Sequence, residues 1–307
     1  MLESEPEGHP MKPIVECVPN FSEGRRQEVI DRIVRAMREA PGAQILDVQS
    51  DADHNRSVVT AVGAPQEITE MAFRGIATAA GLIDLDHHRG GPPRLGATDV
   101  VPFVPVRGVT MQECVELAHQ LGERVGRELR IPVYLYEEAA TRPERRDLAF
   151  VRRGEYEGIK ADTANPDRRP DYGPAELGTA GATAIGARAP LIAFNAYLNT
   201  SDLAPAKAIA RAIRGSSGGL RCVKALGLLV EGRAQVSMNL TDYRQTPVHR
   251  VVEMIRSEAA RYGLAVARCE VVGLLPARAL LDAAEFYLQL QGMSQEQILE
   301  NRLGEGG

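Results

Sequence analysis

Apolar residues follow two rhythms along this chain, alternation with period two and recurrence every three to four residues. Residues 14–18 form a short apolar run of strand type. The chain then turns through Pro19-Asn20-Phe21-Ser22-Glu23-Gly24. Val29, Ile30, Ile33, Val34 and Met37 follow on one helical face, with Ser22 as the expected N-cap and Pro41-Gly42 as the stop. Strands are expected at 44–48 and 57–62, a helix at 65–80, a strand at 99–106, a helix at 110–129 opened by Thr110, and a strand at 132–136. The order is β-α-β-β-α-β with one helix and one strand added. From Pro190 it recurs: strand 191–198, helix 205–213, strands 220–230 and 235–240 around Glu231-Gly232, helix 248–262, strand 265–272 and helix 276–288.

The fold class is therefore α+β, with two ferredoxin-like βαββαβ subdomains, each a sheet with helices on one face. The division places one subdomain at 12–188 and the other at 189–307, behind an acidic, polar tail at 1–11 expected to be disordered. Residues 154–181, rich in Gly, Pro and Arg, read as a long irregular connection, and such stretches are functional or disordered.

The chain has 307 residues, 44% hydrophobic and 25% charged, which supports two cores of ordinary size. No apolar run approaches the ~20 residues of a membrane span, and residues 1–10 do not read as a signal peptide. The net charge of −5 argues against general nucleic-acid binding. Only four of the 36 Lys and Arg residues are lysines, and arginine is the better fork for carboxylates. Cys17, Cys114, Cys222 and Cys269 are widely spaced beside apolar segments. They read as buried free thiols, not a zinc site or disulfides, and place the chain in the cytoplasm.

The loop from His88 to Val100 (His-Arg-Gly-Gly-Pro-Pro-Arg-Leu-Gly-Ala-Thr-Asp-Val) concentrates glycine, proline and charge before an apolar run. Loops shaped this closely tend to hold sites. Gly90-Gly91 lacks the Lys-Ser/Thr of a phosphate loop. Asn20, Asn55, Arg56, Arg94 and Asp99 stand at the ends of expected strands, where separate segments can converge on one cleft. Arg56 and Arg94 suit carboxylates; the alternative is a buried ion pair such as Arg94 with Asp99. Asp51 and Asp53 read as turn residues around His54. Arg152-Arg153 and Arg168-Arg169 read as solvated faces. His9, His119 and His249 have no site role.

Several segments together resemble the glutamate formimidoyltransferase (formiminotransferase) family: Val15 to Gly24, His54-Asn55-Arg56-Ser57, and Pro93-Arg94-Leu95-Gly96-Ala97-Thr98-Asp99 continuing to Pro105. With them go Pro132 to Tyr136, Arg153-Gly154-Glu155-Tyr156-Glu157, Pro170 to Pro174, Gly181-Ala182-Thr183, Ile192 to Asn195, and Gln235 to Leu240. The likeness runs in register from about residue 12 to about residue 290, far more specific than one motif. It resembles the stand-alone form, without a fused cyclodeaminase. The resemblance implies transfer of the formimino group from N-formimino-L-glutamate to tetrahydrofolate in histidine breakdown, a ligand groove between the subdomains, a homodimer, and no metal.

It also implies site residues. The family's loop motif runs His-Pro-Arg, and its histidine is the proton shuttle; here that position is Pro92, which has no ionisable group. His88, in register with a histidine the family often carries, and His54 are the replacement candidates, and Gln49 stands where some relatives carry an acid. Asn20, Asn55, Arg56, Arg94 and Asp99 would bind the donor. Gly173, Gly178, Thr179, Gly181, Ala182 and Thr183 would contact folate through backbone amides, with Phe194 and Asn195 as weaker candidates. Impaired transfer is thus one expectation. Two alternatives are a non-catalytic folate-binding protein and a related one-carbon transferase using His54 or His88 as its base.

Overall fold

Two sheets, one in each of two compact units, Met1–Ala189 and Pro190–Gly307, organise the chain. The computed structural model describes residues 12–52, 54–90, 93–162 and 165–304. The expected tail at 1–11, Asp53, Gly91 and Pro92 lie outside the described residues.

The first unit runs β1 (Ile14–Cys17), β2 (Asn20–Phe21), α1 (Gln27–Arg38), β3 (Gln44–Asp51), β4 (Arg56–Gly63), α2 (Pro65–Leu82), β5 (Thr98–Arg107), α3 (Met111–Arg124), β6 (Val133–Glu137), α4 (Leu148–Val151), α5 (Glu155–Ala161) and β7 (Thr183–Ala187). β1 and β2 both lie between β4 and β5, so they act as one strand interrupted at Pro19. With β3 at the outer edge they make the antiparallel ferredoxin-like core. β7 and then β6 extend it in parallel beyond β5. Val15, Cys17, Phe21, Val59, Ala61 and Phe103 enter one core with Ile33 and Met37 of α1, Met71 and Ile76 of α2, and Leu117 and Leu121 of α3.

Three expectations need correction here. Ser22 does not cap α1: its hydroxyl donates to the Gly96 carbonyl at 2.7 Å. Glu23 Oε1 accepts the amides of Arg25 and Arg26 at 2.9 Å each and fixes the turn before the helix, which begins at Gln27 without a side-chain cap. The stretch 154–181 is not wholly irregular, because α5 occupies 155–161 and buries Tyr156 and Ile159. Further on, Asp171 accepts from the Leu135 amide at 2.8 Å and pairs with the buried Arg145 at 2.7 Å. Finally, Thr183 opens β7, a Thr-Ala-Ile-Gly-Ala strand whose small residues give little strand signal. Thr110 does open α3, as expected, in a reciprocal capping box with Glu113.

The second unit runs β8 (Ile192–Leu198), α6 (Leu203–Ile213), β9 (Val223–Val230), β10 (Arg233–Leu240), α7 (Val248–Ala260), β11 (Val266–Val272), α8 (Ala277–Leu288) and α9 (Leu299–Gly304). Its sheet, β11-β8-β10-β9, is antiparallel throughout and has the ferredoxin-like order. Glu231 and Gly232, both with positive φ, close the β9–β10 hairpin. Ile192, Phe194, Ala196 and Leu198 alternate onto the core with Ile209 and Ile213 of α6 and Val251 and Ile255 of α7. Asn195 and Tyr197, one step out of phase, project from the opposite face.

All four cysteines are free. Cys17 and Cys114 are buried as expected, but Cys222 is only half-buried and Cys269 is exposed because β11 is an edge strand. No helix among the described residues is long and apolar enough to cross a membrane.

Candidate active site

The loop from α2 to β5 is laced to the segment before β7. Leu85 donates its amide to Thr179, Ala97 to Ala180, and Ala182 to Leu95, at 2.8, 2.8 and 3.1 Å. Gly96 and Gly181 pair across this seam. A Cβ on Gly181, whose φ is +68°, would lie 2.4 Å from the Leu95 carbonyl oxygen, so glycine is required there.

The same loop is tied to the β3–β4 turn through Asn55, itself at φ 52°. Its Oδ1 accepts from the Gly24 amide at 2.9 Å, and its Nδ2 donates to the Arg89 carbonyl at 2.9 Å. Arg56 donates to the Pro93 carbonyl and approaches Asp99 at 3.5 Å. Asp99 is 0% exposed. Its Oδ1 accepts from the Leu95 amide at 3.0 Å, and its Oδ2 receives Arg152 at 2.5 Å. Burial presses the pKa of Arg56 down, and the charges of Asp99, Asp51 and Glu155 oppose this.

Arg94 does not pair with Asp99. It holds Glu155 at 3.2 Å and Glu157 of α5, while its carbonyl accepts the Tyr156 amide at 3.0 Å. Arg152, expected on a solvated face, is instead largely buried against Asp99. Glu23, Arg152 and the two glutamates were missed by sequence reasoning; the Arg152-Arg153 doublet was the visible signal, misassigned to solvent.

His88 is only 8% exposed, and neither ring nitrogen has a hydrogen bond of normal geometry. It lines a cleft of about 320 Å³ with Glu23, Arg25, Asn55, Asp84 and Arg89. Gly90 lies against it: a Cβ there would stand 2.6 Å from His88 Cε1 and 2.7 Å from the His54 carbonyl oxygen. Burial holds the His88 pKa below the ordinary histidine value, outweighing an upward pull from the Asn55 backbone. The ring is therefore neutral at neutral pH, with both nitrogens buried behind the cleft wall.

His54 is exposed, with Nδ1 2.6 Å from Asp51 Oδ2. Asp51 Oδ1 also accepts the His54 amide at 3.0 Å, the turn role expected of it. Gln49 is half-buried in β3, in one row with Val58 and Asn20 across three strands. Asn20 donates from Nδ2 to the Val18 carbonyl at 2.9 Å. Alternation along β4 puts Arg56 on the same sheet face as this row.

The glycine-rich segment is already committed within its unit. Gly173, at φ +83°, packs against Gly126, and Gly178 accepts the Tyr156 hydroxyl at 3.3 Å. The amides of Gly181, Ala182 and Thr183 donate to Gly178, Leu95 and Pro132, and the Thr183 hydroxyl donates to Thr98 at 2.5 Å. Among the described residues no three His, Cys, Asp or Glu side chains cluster as metal ligands.

Residues 14–188 match the model for the formiminotransferase domain, N-terminal subdomain, and residues 193–302 match that for the formiminotransferase domain. The chain belongs to the formiminotransferase family. It is 51% identical over 297 residues to the glutamate formimidoyltransferase of Streptococcus pyogenes serotype M1, covering 95% of this chain and 99% of that one. It is 50% identical over 294 residues to the glutamate formimidoyltransferase of Thermoplasma acidophilum, covering 94% and 97%. The formimidoyltransferase-cyclodeaminase of Mus musculus is 44% identical over 308 residues, covering 96% of this chain and 57% of the relative. Within this formiminotransferase chain, the loop between α2 and β5 is the one gathering Asn55, Arg56, His88 and Asp99.

Proposed function

We propose that this chain transfers the formimino group from N-formimino-L-glutamate to tetrahydrofolate, a step of histidine degradation and one-carbon metabolism. The observation that carries the reading is the 51% identity spanning 99% of a relative named glutamate formimidoyltransferase. The same reading makes the protein a cytoplasmic homodimer whose ligands are two small molecules.

A folate nitrogen attacks the amidine-like carbon of the donor, and a tetrahedral adduct forms. One proton leaves the attacking nitrogen and one reaches the departing glutamate amine. Pro92 carries no group for this, so His88 takes the proton in our assignment: its ring is neutral and the residue lines the cleft. Arg56, on the sheet face beside Asn20 and Gln49, receives a donor carboxylate in the same assignment. Asn55 and Asp99 hold the loop and Arg56 in place, and Asn20 and Gln49 border Arg56 on the same sheet face. Arg94 anchors α5 through its two glutamates. Gly178 and Thr179 remain the folate contacts of that segment.

The purified chain is expected to turn over formiminoglutamate with tetrahydrofolate; a chain that neither turns over the donor nor binds a reduced folate would defeat the proposal. His88→Ala should cost ~10²-fold or more in kcat. The pH dependence has a definite sign. Because the folded pKa of His88 is depressed, its base form persists below pH ~6.5, and the acid limb of kcat/KM falls below that value. The unfolded chain takes up the proton near pH ~6.5 while the folded chain does not, so stability declines as pH drops through that value. An acid limb at or above pH ~6.5 in the unaltered chain would remove His88 from the role.

A further inference from the structure

The departing glutamate amine needs a proton, and the ring assigned as base is poorly suited to bring one. Burial holds His88 below the ordinary histidine pKa and disfavours its charged form. A general acid has to carry its proton before the adduct collapses. A second histidine of the first unit meets that demand.

His54 stands exposed in the turn between β3 and β4, with Nδ1 2.6 Å from Asp51 Oδ2. A carboxylate at that distance fixes a proton on Nδ1. Asp51 also accepts the His54 amide through Oδ1 at 3.0 Å, so one side chain holds both the backbone and the ring. Among the described residues Nε2 has no hydrogen-bond partner, and that nitrogen is left to exchange a proton. The turn also lies along the loop assigned to the reaction. Asn55 donates to the Arg89 carbonyl, the His54 carbonyl flanks Gly90, and Arg56 donates to the Pro93 carbonyl. Residues 54–56 thus follow the loop from 89 to 93. The His88 ring flanks Gly90 as well, so the two histidines meet at one glycine.

We propose that His54, oriented by Asp51, is the general acid that protonates the departing glutamate nitrogen. The amidinium carbon of the donor accepts the lone pair of the folate nitrogen, its C=N pair moves onto the amino nitrogen, and His88 takes the folate N–H proton. In the collapse that nitrogen's pair re-forms C=N, the C–N bond to glutamate breaks, and the released pair takes the Nε2 proton of His54. His88 has then gained one proton and His54 has lost one, and transfer of one proton between them resets the pair. The assignment rests on the transferase reading above.

His54→Gln should lower kcat on formiminoglutamate by ~10²-fold or more, with KM for both substrates unchanged, because the acid acts only in the transition state. The melting temperature should stay the same, since the ring is exposed. An arylamine leaves without first taking a proton, so on the formimino derivative of meta-aminobenzoate His54→Gln should match the unaltered chain. In the Pro92→His background one imidazole takes the proton and returns it, so His54→Gln should cost far less there. A purely structural role would cost the same in every arm. Unchanged kcat on formiminoglutamate, or an equal loss on both donors or in both backgrounds, would overturn the assignment while the transferase reading stands. Absence of transfer by the unaltered chain overturns both.

Discussion

Pro92→His is expected to raise kcat for formimino transfer by ~10²–10⁴-fold, the usual worth of a positioned general acid/base, with KM for tetrahydrofolate unchanged. The reason is chemical: the adduct must lose one proton and gain another, and proline offers neither a titratable group nor a backbone donor. His88 lies four residues earlier in the same loop and carries the residual transfer in our reading. The decisive comparison places His88→Ala in both backgrounds. It should silence the unaltered chain and leave Pro92→His active. If Pro92→His gains nothing, the proton is moved by another group and position 92 has lost its part in the chemistry. A gain accompanied by a large change in folate affinity would point to altered binding instead.

The second large effect is on stability. Asp99→Ala should destabilise the first unit by about 3–5 kcal/mol, because it strands buried charge. Asp99 is fully buried and its Oδ2 faces both Arg152 and Arg56, while Oδ1 holds the Leu95 amide. Removing the carboxylate leaves two guanidiniums without it and frees the loop before β5. Chemical denaturation monitored by circular dichroism measures the loss. Arg152→Ala added to Asp99→Ala should recover part of it, since one stranded charge is then gone. A loss below ~1 kcal/mol would place the pair among surface-like ion pairs that contribute little.

What the sequence revealed follows the strength of its periodicities. The second unit is legible because β8, β10 and α7 each alternate or recur cleanly, as Ile192, Phe194 and Ala196 do against Val251, Val252 and Ile255. β7 was invisible for the opposite reason: alanine and glycine pack between strands without announcing one. The start of α1 was misplaced because Ser22 reaches 74 positions along the chain to Gly96 and Glu23 holds a further turn, at Arg25 and Arg26, before the helix opens. The charged partners of the site are unreadable on the same ground. Asp99 meets Arg152 across 53 residues, and Arg94 meets Glu155 across 61. Residue type can suggest that such pairs exist, but only tertiary structure chooses between Arg94 and Arg152 as the mate of Asp99. Position 92 became conspicuous only through the family's motif, since nothing in the composition of a Gly/Pro loop says that a base is missing.

The placement of β7 has a consequence for how the first unit is made. β5 and β6 finish by residue 137, yet they do not pair with each other; β7, ending at residue 187, fills the place between them. Until that segment leaves the ribosome, the nascent chain holds β6 unpaired and one side of β5 open to any passing strand. A chain cut short between residues 138 and 182 would keep those open edges permanently, and it should aggregate.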